Sequence, residues 1–251
     1  MSPPDEQQLT PALALSVDEA IELLRDGILT IEGRLVDASN ATLYCSVARD
    51  GVAAACVYKP VVGERPLWDF PDGTLAEREV AAYEVSAATG WAIVPPTLYR
   101  DGPLGPGMVQ LWIETDDSVD LVALVRRRSS EQVRRIAVLD AVINNADRKG
   151  GHLLPVVGGH VYGVDHGVSF HAQPKLRTLL WQWAGESLTD ESVEVLRSLR
   201  DRFDGDLGGR LHELLTIREV RRTIARIDHL LQCRTHPQPR HNHPAIPWPP
   251  M

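Results

Sequence analysis

Lysine is nearly missing from this chain. Of its 26 basic residues only three are lysines, Lys59, Lys149 and Lys175; the rest are arginines. The two residue types serve alike on most solvated surfaces. A lysine that survives such a bias marks a place where a compact ammonium suits better than a planar fork. Cysteine is scarce too. Cys45, Cys56 and Cys233 are widely spaced and form no CxxC pair, which excludes a zinc motif and a disulfide framework. No apolar run approaches the ~18 residues of a membrane-spanning helix. Positive charge is not in excess: the net charge is −8. That excludes a nucleic-acid footprint and electrostatic docking on anionic membrane, so neither nucleic acid nor a stable membrane association is expected. The opening residues MSPPDEQQLT lack the charged-then-apolar plan of a signal peptide, and a cytoplasmic location is expected.

What is present suits a sizeable core. The chain has 251 residues, 43% of them hydrophobic, enough for one large domain or two packed lobes. Residues 1–27 read as a leader and a short helix, with Ser16 as cap, Glu19 completing a capping box and Gly27 as stop. Strand-like runs follow at 28–36, 41–48 and 52–59, the last two joined by a tight RDG turn. Residues 60–73 are rich in Pro and Gly and read as irregular. TLAEREVAAYEVSAATG reads as a helix, capped by Thr74 with Glu77 at the box position and stopped at Gly90. WAIVPPTLYR and MVQLWIE read as strands. Beyond Glu114 the pattern turns helical, with a helix ending in VLDAVINNAD, a hairpin HLLPVV/HVYGVD, and helical patterns near 176–184, 190–203, 207–215 and 217–232. The last stretch, 234–251, is proline-rich and aperiodic and reads as a disordered tail.

The stretch LDAVINNADRKGGHLL concentrates chemistry. Asp147 follows an apolar helix, and Gly150 and Gly151 loosen the loop behind it. The hairpin 152–165 goes out and returns, so its ends lie side by side, within ~5 Å of one another. Asp147 and His152 at one end then face Asp165 at the other. Two converging carboxylates repel unless a cation or a proton lies between them. Mg²⁺ takes oxygen ligands, commonly one or two carboxylates plus phosphate oxygens, so the arrangement suits metal-assisted phosphoryl transfer. Lys59 ends a strand, and the helix some twenty residues on carries Glu77 and Glu79. With Glu77 assigned to the cap, Glu79 is left to meet Lys59, a pairing used to hold nucleotide phosphates.

These residues carry a resemblance. NNADRKGGHLL and VYGVDHGVSF resemble the catalytic and metal loops of phosphatidylinositol 3-/4-kinase-like proteins and the related HipA-type kinases, whose pattern is D-R-x-x-x-N, a short hairpin, then D-x-G. VYKP with the EREVAAYE helix is similar to that family's lysine strand and glutamate helix, and MVQLWIE falls at its interlobe hinge. The resemblance spans roughly residues 35–185. It implies an α+β, two-lobed protein-kinase-like fold, with a β-rich N-lobe at 28–115 and a helical C-lobe at 116–233. It implies ATP and Mg or Mn as cofactors. Lys59 would neutralise the α/β phosphates with Glu79 orienting it, Asp147 would take the proton of the attacking group, and Asp165 would hold the metal. Arg148 belongs to the same catalytic loop. Gln110, Leu111 and Trp112 would cradle adenine, Ser39, Asn40 and Thr42 would cover the phosphates, and Lys149 and Lys175 would meet the γ-phosphate or an acidic substrate.

One departure stands out: the family's metal-binding Asn is His152 here. It binds a softer metal, contacts phosphate, or marks a lost metal position. The expected activity is an ATP- and metal-dependent phosphotransferase acting on a protein or a small polar metabolite rather than a lipid. The alternatives are a catalytically silent nucleotide-binding regulator and an enzyme of adenylyl transfer.

Overall fold

A computed structural model describes residue 10 and residues 14–35, 40–240 and 244–251. Helix α1 (Val17–Asp26) starts where its sequence dictates. The Ser16 hydroxyl accepts the Glu19 N–H, and the Glu19 carboxylate accepts the Ser16 N–H at 2.8 Å, so the capping box closes. Ala20, Leu23 and Leu24 form its buried stripe.

Five strands follow: β1 (Ile28–Arg34), β2 (Leu43–Arg49), β3 (Val52–Pro60), β4 (Thr97–Gly102) and β5 (Gly105–Leu111). They build one antiparallel sheet in the order β1-β2-β3-β5-β4. The β2–β3 turn has positive φ at both Asp50 and Gly51, the twist-matched hairpin geometry that the RDG signal predicts. One sheet face packs with α1 through Leu43, Cys45, Val47, Ala54, Cys56, Tyr58, Val109 and Leu111. Period-two alternation then puts Ala55, Val57 and Lys59 on the opposite face. Cys45 and Cys56, eleven positions apart, are direct cross-strand partners and both are free thiols. The hydrogen bond that the Cys56 thiol donates to Cys45, together with burial, pushes the Cys56 pKa up.

The chain divides into two compact units, Met1–Ala76 with Pro95–Glu114, and Glu77–Val94 with Thr115–Met251. The expected lobe boundary at 115 therefore misses one piece: residues 77–94 group with the helical unit. Helix α2 (Leu75–Thr89) begins in the first unit, where the Glu64 carboxylate accepts the N–H groups of Leu75 at 3.1 Å and Ala76 at 2.8 Å. An anion at a helix start is favourable. Glu64 lies in the irregular segment, outside the Thr74–Glu77 signal on which the sequence reading relied.

The second unit continues with α3 (Leu121–Arg126), α4 (Glu131–Ile143), the hairpin β6 (Leu153–Pro155) and β7 (Val161–Gly163), then α5 (Asp190–Arg202), α6 (Asp206–Leu214) and α7 (Ile217–Cys233). Helix α3, capped by the Asp120 carboxylate, was not anticipated. The helix expected at 176–184 is absent. The N–H groups of Arg177, Thr178 and Leu179 go instead to the carbonyls of Asn145, Ala245 and Arg148, bonds that a local helix would forgo. The strand expected from Trp91 begins only at Thr97, after Pro95 and Pro96. None of the described helices is long and apolar enough to cross a membrane.

The described residues of the proline-rich C-terminus also differ from the disorder that composition suggests. Thr235 bridges to Ser187, and His236 N–H donates to Glu186 O. Ala245 O accepts from Thr178 N–H and from Trp181 Nε1, and Pro250 O accepts from Gly150 N–H. A proline-rich chain lacks donors but keeps its acceptors, and these acceptors are what the segment uses. Gly150 carries no side chain where Met251 packs.

His236 lies at the start of this segment, almost fully buried, and accepts from Arg134 Nε at 3.2 Å. Burial, with the neighbouring Arg134 charge, pushes its pKa down to about 4. The folded state therefore refuses a proton that the unfolded chain takes below its ordinary value of about 6.5. Stability is full above that pH and falls as pH drops toward 4, by about 3 kcal/mol. Denaturant unfolding between pH 7 and 4.5 should show this loss, and His236→Gln should flatten it.

Candidate active site

In the first unit, Lys59 sits near the end of β3, paired in register with Met108 of β5. Gln110 is its near neighbour on that strand, but its side chain is buried and donates to Thr97 Oγ1 at 2.8 Å. The N–H groups of Leu111 and Trp112 go to Pro96 O and Ala55 O. Trp112 packs edge-on to Tyr44, with centroids 5.1 Å apart. The three residues expected to cradle adenine thus have their side-chain amide, two backbone donors and one ring already engaged. A similar result holds at the turn expected to cover phosphates. Asn40 Oδ1 accepts the Arg65 N–H, Ala41 N–H donates to Gly63 O, and the Thr42 side chain is buried. Ser39 lies outside the described residues.

The second unit assembles the D-R loop and the D-x-G turn. Helix α4 ends at Asn144, whose left-handed backbone (φ 57°, ψ 47°) turns the chain sharply. Its amide donates to the carbonyls of His171 and Gln173 and accepts the Lys175 N–H, which staples the segment after the D-x-G turn. Asn145 accepts the Asp147 N–H and donates to Asp140 Oδ1. Asp147 therefore leaves the helix on a backbone fixed by two consecutive asparagines. Its carboxylate lies 2.9 Å from Lys149 Nζ, and both side chains remain partly accessible.

Arg148 points the other way and has no exposed surface. Its Nε and NH2 hold the buried Asp140 carboxylate at 3.0 Å, NH1 donates to Val164 O at 2.9 Å and reaches His152 O at 3.4 Å, and NH2 meets His166 Nε2 at 2.5 Å. An arginine can only donate, so His166 Nε2 is the acceptor and the ring's proton sits on Nδ1. Arg148 acts by positioning: one guanidinium ties the D-R loop to both ends of the hairpin.

Asp165 is half exposed and adopts φ 62°, a left-handed conformation that aspartate tolerates better than most residues. The turn after it is fixed from α2, because Glu79 Oε2 accepts the His166 N–H at 2.8 Å. Neighbouring Arg78 holds Ser169 O and forms a buried pair with Glu219 at 2.6 Å. Burial raises the Glu219 pKa, but Arg78 and the hydrogen bonds from Thr216 together outweigh it and leave the carboxyl below its ordinary value.

His152 Nε2 lies 3.3 Å from Asp165 Oδ2. Burial lowers the imidazole pKa and Asp165 raises it, with burial prevailing, so the ring is neutral near pH 7. Its Nδ1 is buried and finds no hydrogen-bond partner among the described residues. A proton on Nδ1 would be a buried donor with no acceptor, at a cost of about 1–3 kcal/mol. A proton on Nε2 lies beside the Asp165 carboxylate, with the nitrogen 3.3 Å away, and leaves only an under-used lone pair on Nδ1. The second tautomer is the cheaper one, and it sets the Nε2 N–H beside the Asp165 carboxylate. No group of three His, Cys, Asp or Glu fit to hold a metal occurs among the described residues. The donor set fits an ion held by Asp165 and completed by phosphate oxygens, not an all-protein cage.

The sequence names Asp147, Lys149, His152 and Asp165 as candidates, and all four lie in the second unit. Sequence reasoning missed the frame: Asp140, Asn144, Asn145, His166, and the Arg78–Glu219 pair. The available signal was an acid inside the apolar run VLDAVI followed by two asparagines at a helix end. Lys175 enters this frame through its backbone N–H at Asn144.

No family model matches the chain. Among solved structures it is similar to the Golgi casein kinase, at 14% identity and TM-score 0.48 over 91% of this chain and 80% of that one. It is also similar to the Helicobacter pylori proinflammatory kinase CtkA, at 10% identity and TM-score 0.47 over 84% and 94%. A curated relative, Protein Rv2133c of Mycobacterium tuberculosis, is 42% identical over 92% of this chain and 95% of its own length. At that identity and reach, the chain belongs to the same family as Protein Rv2133c.

Proposed function

We propose that this protein has a two-lobed kinase-like fold of the phosphatidylinositol 3-/4-kinase-like type and is an ATP- and divalent-metal-dependent phosphotransferase. The observation that carries the reading is the second unit's cluster: Asp147 beside Lys149, and Asp165 beside His152, with buried Arg148 joining their backbones. Asp165 is the carboxylate that would hold a divalent ion, which when bound neutralises phosphate charge. Asp147 receives the proton of the attacking hydroxyl, and Lys149, 2.9 Å away, keeps its carboxylate placed. Lys59 supplies an ammonium for the nucleotide phosphates. Catalysis is then mostly positioning plus charge neutralisation. The acceptor is a protein hydroxyl or a small polar metabolite, since the net charge of −8 disfavours an anionic membrane surface.

A second reading rests on His152. Beside Asp165 it leaves the family's second metal position without its usual amide, which suits a nucleotide-binding regulator without turnover. Adenylyl transfer is the remaining chemistry for the same groups. Thermal unfolding with ATP and Mg²⁺ or Mn²⁺, run beside a product assay, separates the three. Ligand at a hundredfold its Kd should stabilise the fold by about 2.7 kcal/mol and raise Tm by roughly 5–10 °C. ADP as product supports the kinase, pyrophosphate or AMP supports adenylyl transfer, and binding without product supports the regulator. No shift with either metal overturns all three.

A further inference from the structure

Helix α7 carries Arg218, Arg222 and Arg226 at spacings of four, which puts three like charges on one face. Like-charge neighbours at this spacing destabilise an isolated helix. Acids on the same helix do not offset them: Glu219 is engaged by Arg78 and by its own cap at Thr216, and Asp228 by Arg200. None of the three arginines makes an ion pair among the described residues, whereas Arg49, Arg78, Arg128, Arg135, Arg148, Arg200 and Arg210 all do.

These three arginines line a cavity of about 660 Å³ within the second unit, joined by Arg240 from the C-terminal segment, and no carboxylate is among the lining residues. Its other walls include Leu176 and Trp181. Trp181 is fixed there by its hydrogen bond to Ala245 O. The deepest guanidinium is Arg226, anchored by Val142 O at 2.7 Å and Thr223 Oγ1 at 2.7 Å. Burial, and then the charge of Arg222, push its pKa down to about 9, while Glu219 pulls it up. A chain with net charge −8 has thus gathered four arginines around one apolar-walled cavity with no carboxylate among its described lining residues. Its volume is that of a small-molecule site.

We propose that this cavity binds a small organic phosphate, with the dianionic head between Arg222 and Arg226 and an apolar body against Trp181 and Leu176. Arginine forks match phosphate oxygens bidentately, and a bound dianion removes the repulsion along α7. The site is independent of the phosphotransferase reading, because none of the groups given a chemical role there lines it; Asn144, which does, serves the D-R loop only as a brace.

The test is calorimetric titration of the full chain with phenyl phosphate, inorganic phosphate and phenol. Saturable binding of phenyl phosphate, tighter than inorganic phosphate and with no binding of phenol, is expected. Arg218→Gln/Arg222→Gln, whose side chains are exposed and anchor nothing, should weaken it at least tenfold with the unliganded Tm unchanged. Asp165→Asn should bind like wild type, which separates this site from the catalytic one. Absence of saturable phenyl phosphate binding, or equal affinity in the double variant, overturns the proposal.

Discussion

Replacing Asp165 with asparagine is expected to reduce ATP turnover by about 10³-fold or more, while the unfolding midpoint stays close to wild type. The expected loss follows from what the carboxylate does. A metal that neutralises a transferring phosphoryl group supplies several kcal/mol of transition-state stabilisation, and each 1.36 kcal/mol is about tenfold in rate. Asparagine keeps the size and tolerates the left-handed φ of 62°, and Glu79 still holds the His166 N–H, so the turn survives. The charge alone is removed. Asp147→Asn should cost about 10²–10⁴-fold, the usual worth of a placed general base, with KM for ATP little changed. The two variants therefore separate: Asp165→Asn weakens metal-nucleotide binding as well as rate, Asp147→Asn chiefly rate. Turnover that survives either change intact would mean that these carboxylates do not perform the chemistry assigned to them.

The candidate site was legible because hairpin arithmetic is local. Thirteen positions separate His152 from Asp165, and an antiparallel out-and-back must return one to the other; the structure places them 3.3 Å apart. Strand alternation likewise settles which sheet face carries Lys59, from its neighbours alone. The capping box at Ser16 and Glu19 is readable for the same reason: both partners lie within one turn. Illegible parts depend on partners far along the chain. Asp140 is one acid in an apolar helix, and nothing nearby announces that Arg148 and Asn145 will fold back onto it. Glu64 caps α2 from eleven residues away, and the Arg78–Glu219 pair spans 141. The helical pattern at 176–184 lost to long-range competition, since its amides satisfy carbonyls of the D-R loop and of the C-terminal segment. That segment reads as disordered because composition weighs prolines but not the acceptors they leave free. The adenine assignment failed to anticipate that Leu111 and Trp112 spend their N–H groups on carbonyls at positions 96 and 55.

The second large effect concerns stability, and it distinguishes frame from chemistry. Asp140 and Arg148 are both completely buried, joined by three contacts of 3.0–3.3 Å. Removing one partner leaves an uncompensated charge in the core, so Asp140→Ala or Arg148→Ala should each cost about 3–5 kcal/mol in denaturant unfolding. Against a total stability of about 5–15 kcal/mol, that brings the fold near its limit. Replacing both by apolar residues of similar size, Asp140→Leu with Arg148→Met, removes the stranded charge, and such swaps are often close to neutral. The double variant should therefore regain most of the lost stability and show strong coupling in a double-mutant cycle. Turnover should not return with it. Val164 O, His152 O and His166 Nε2 all lose their donor, and these backbone ends carry Asp165 and His152. A double variant that refolds and turns over ATP at the wild-type rate would show that Arg148 braces the loop without aligning its acids. Recovery of stability without activity is the result that an aligning guanidinium requires.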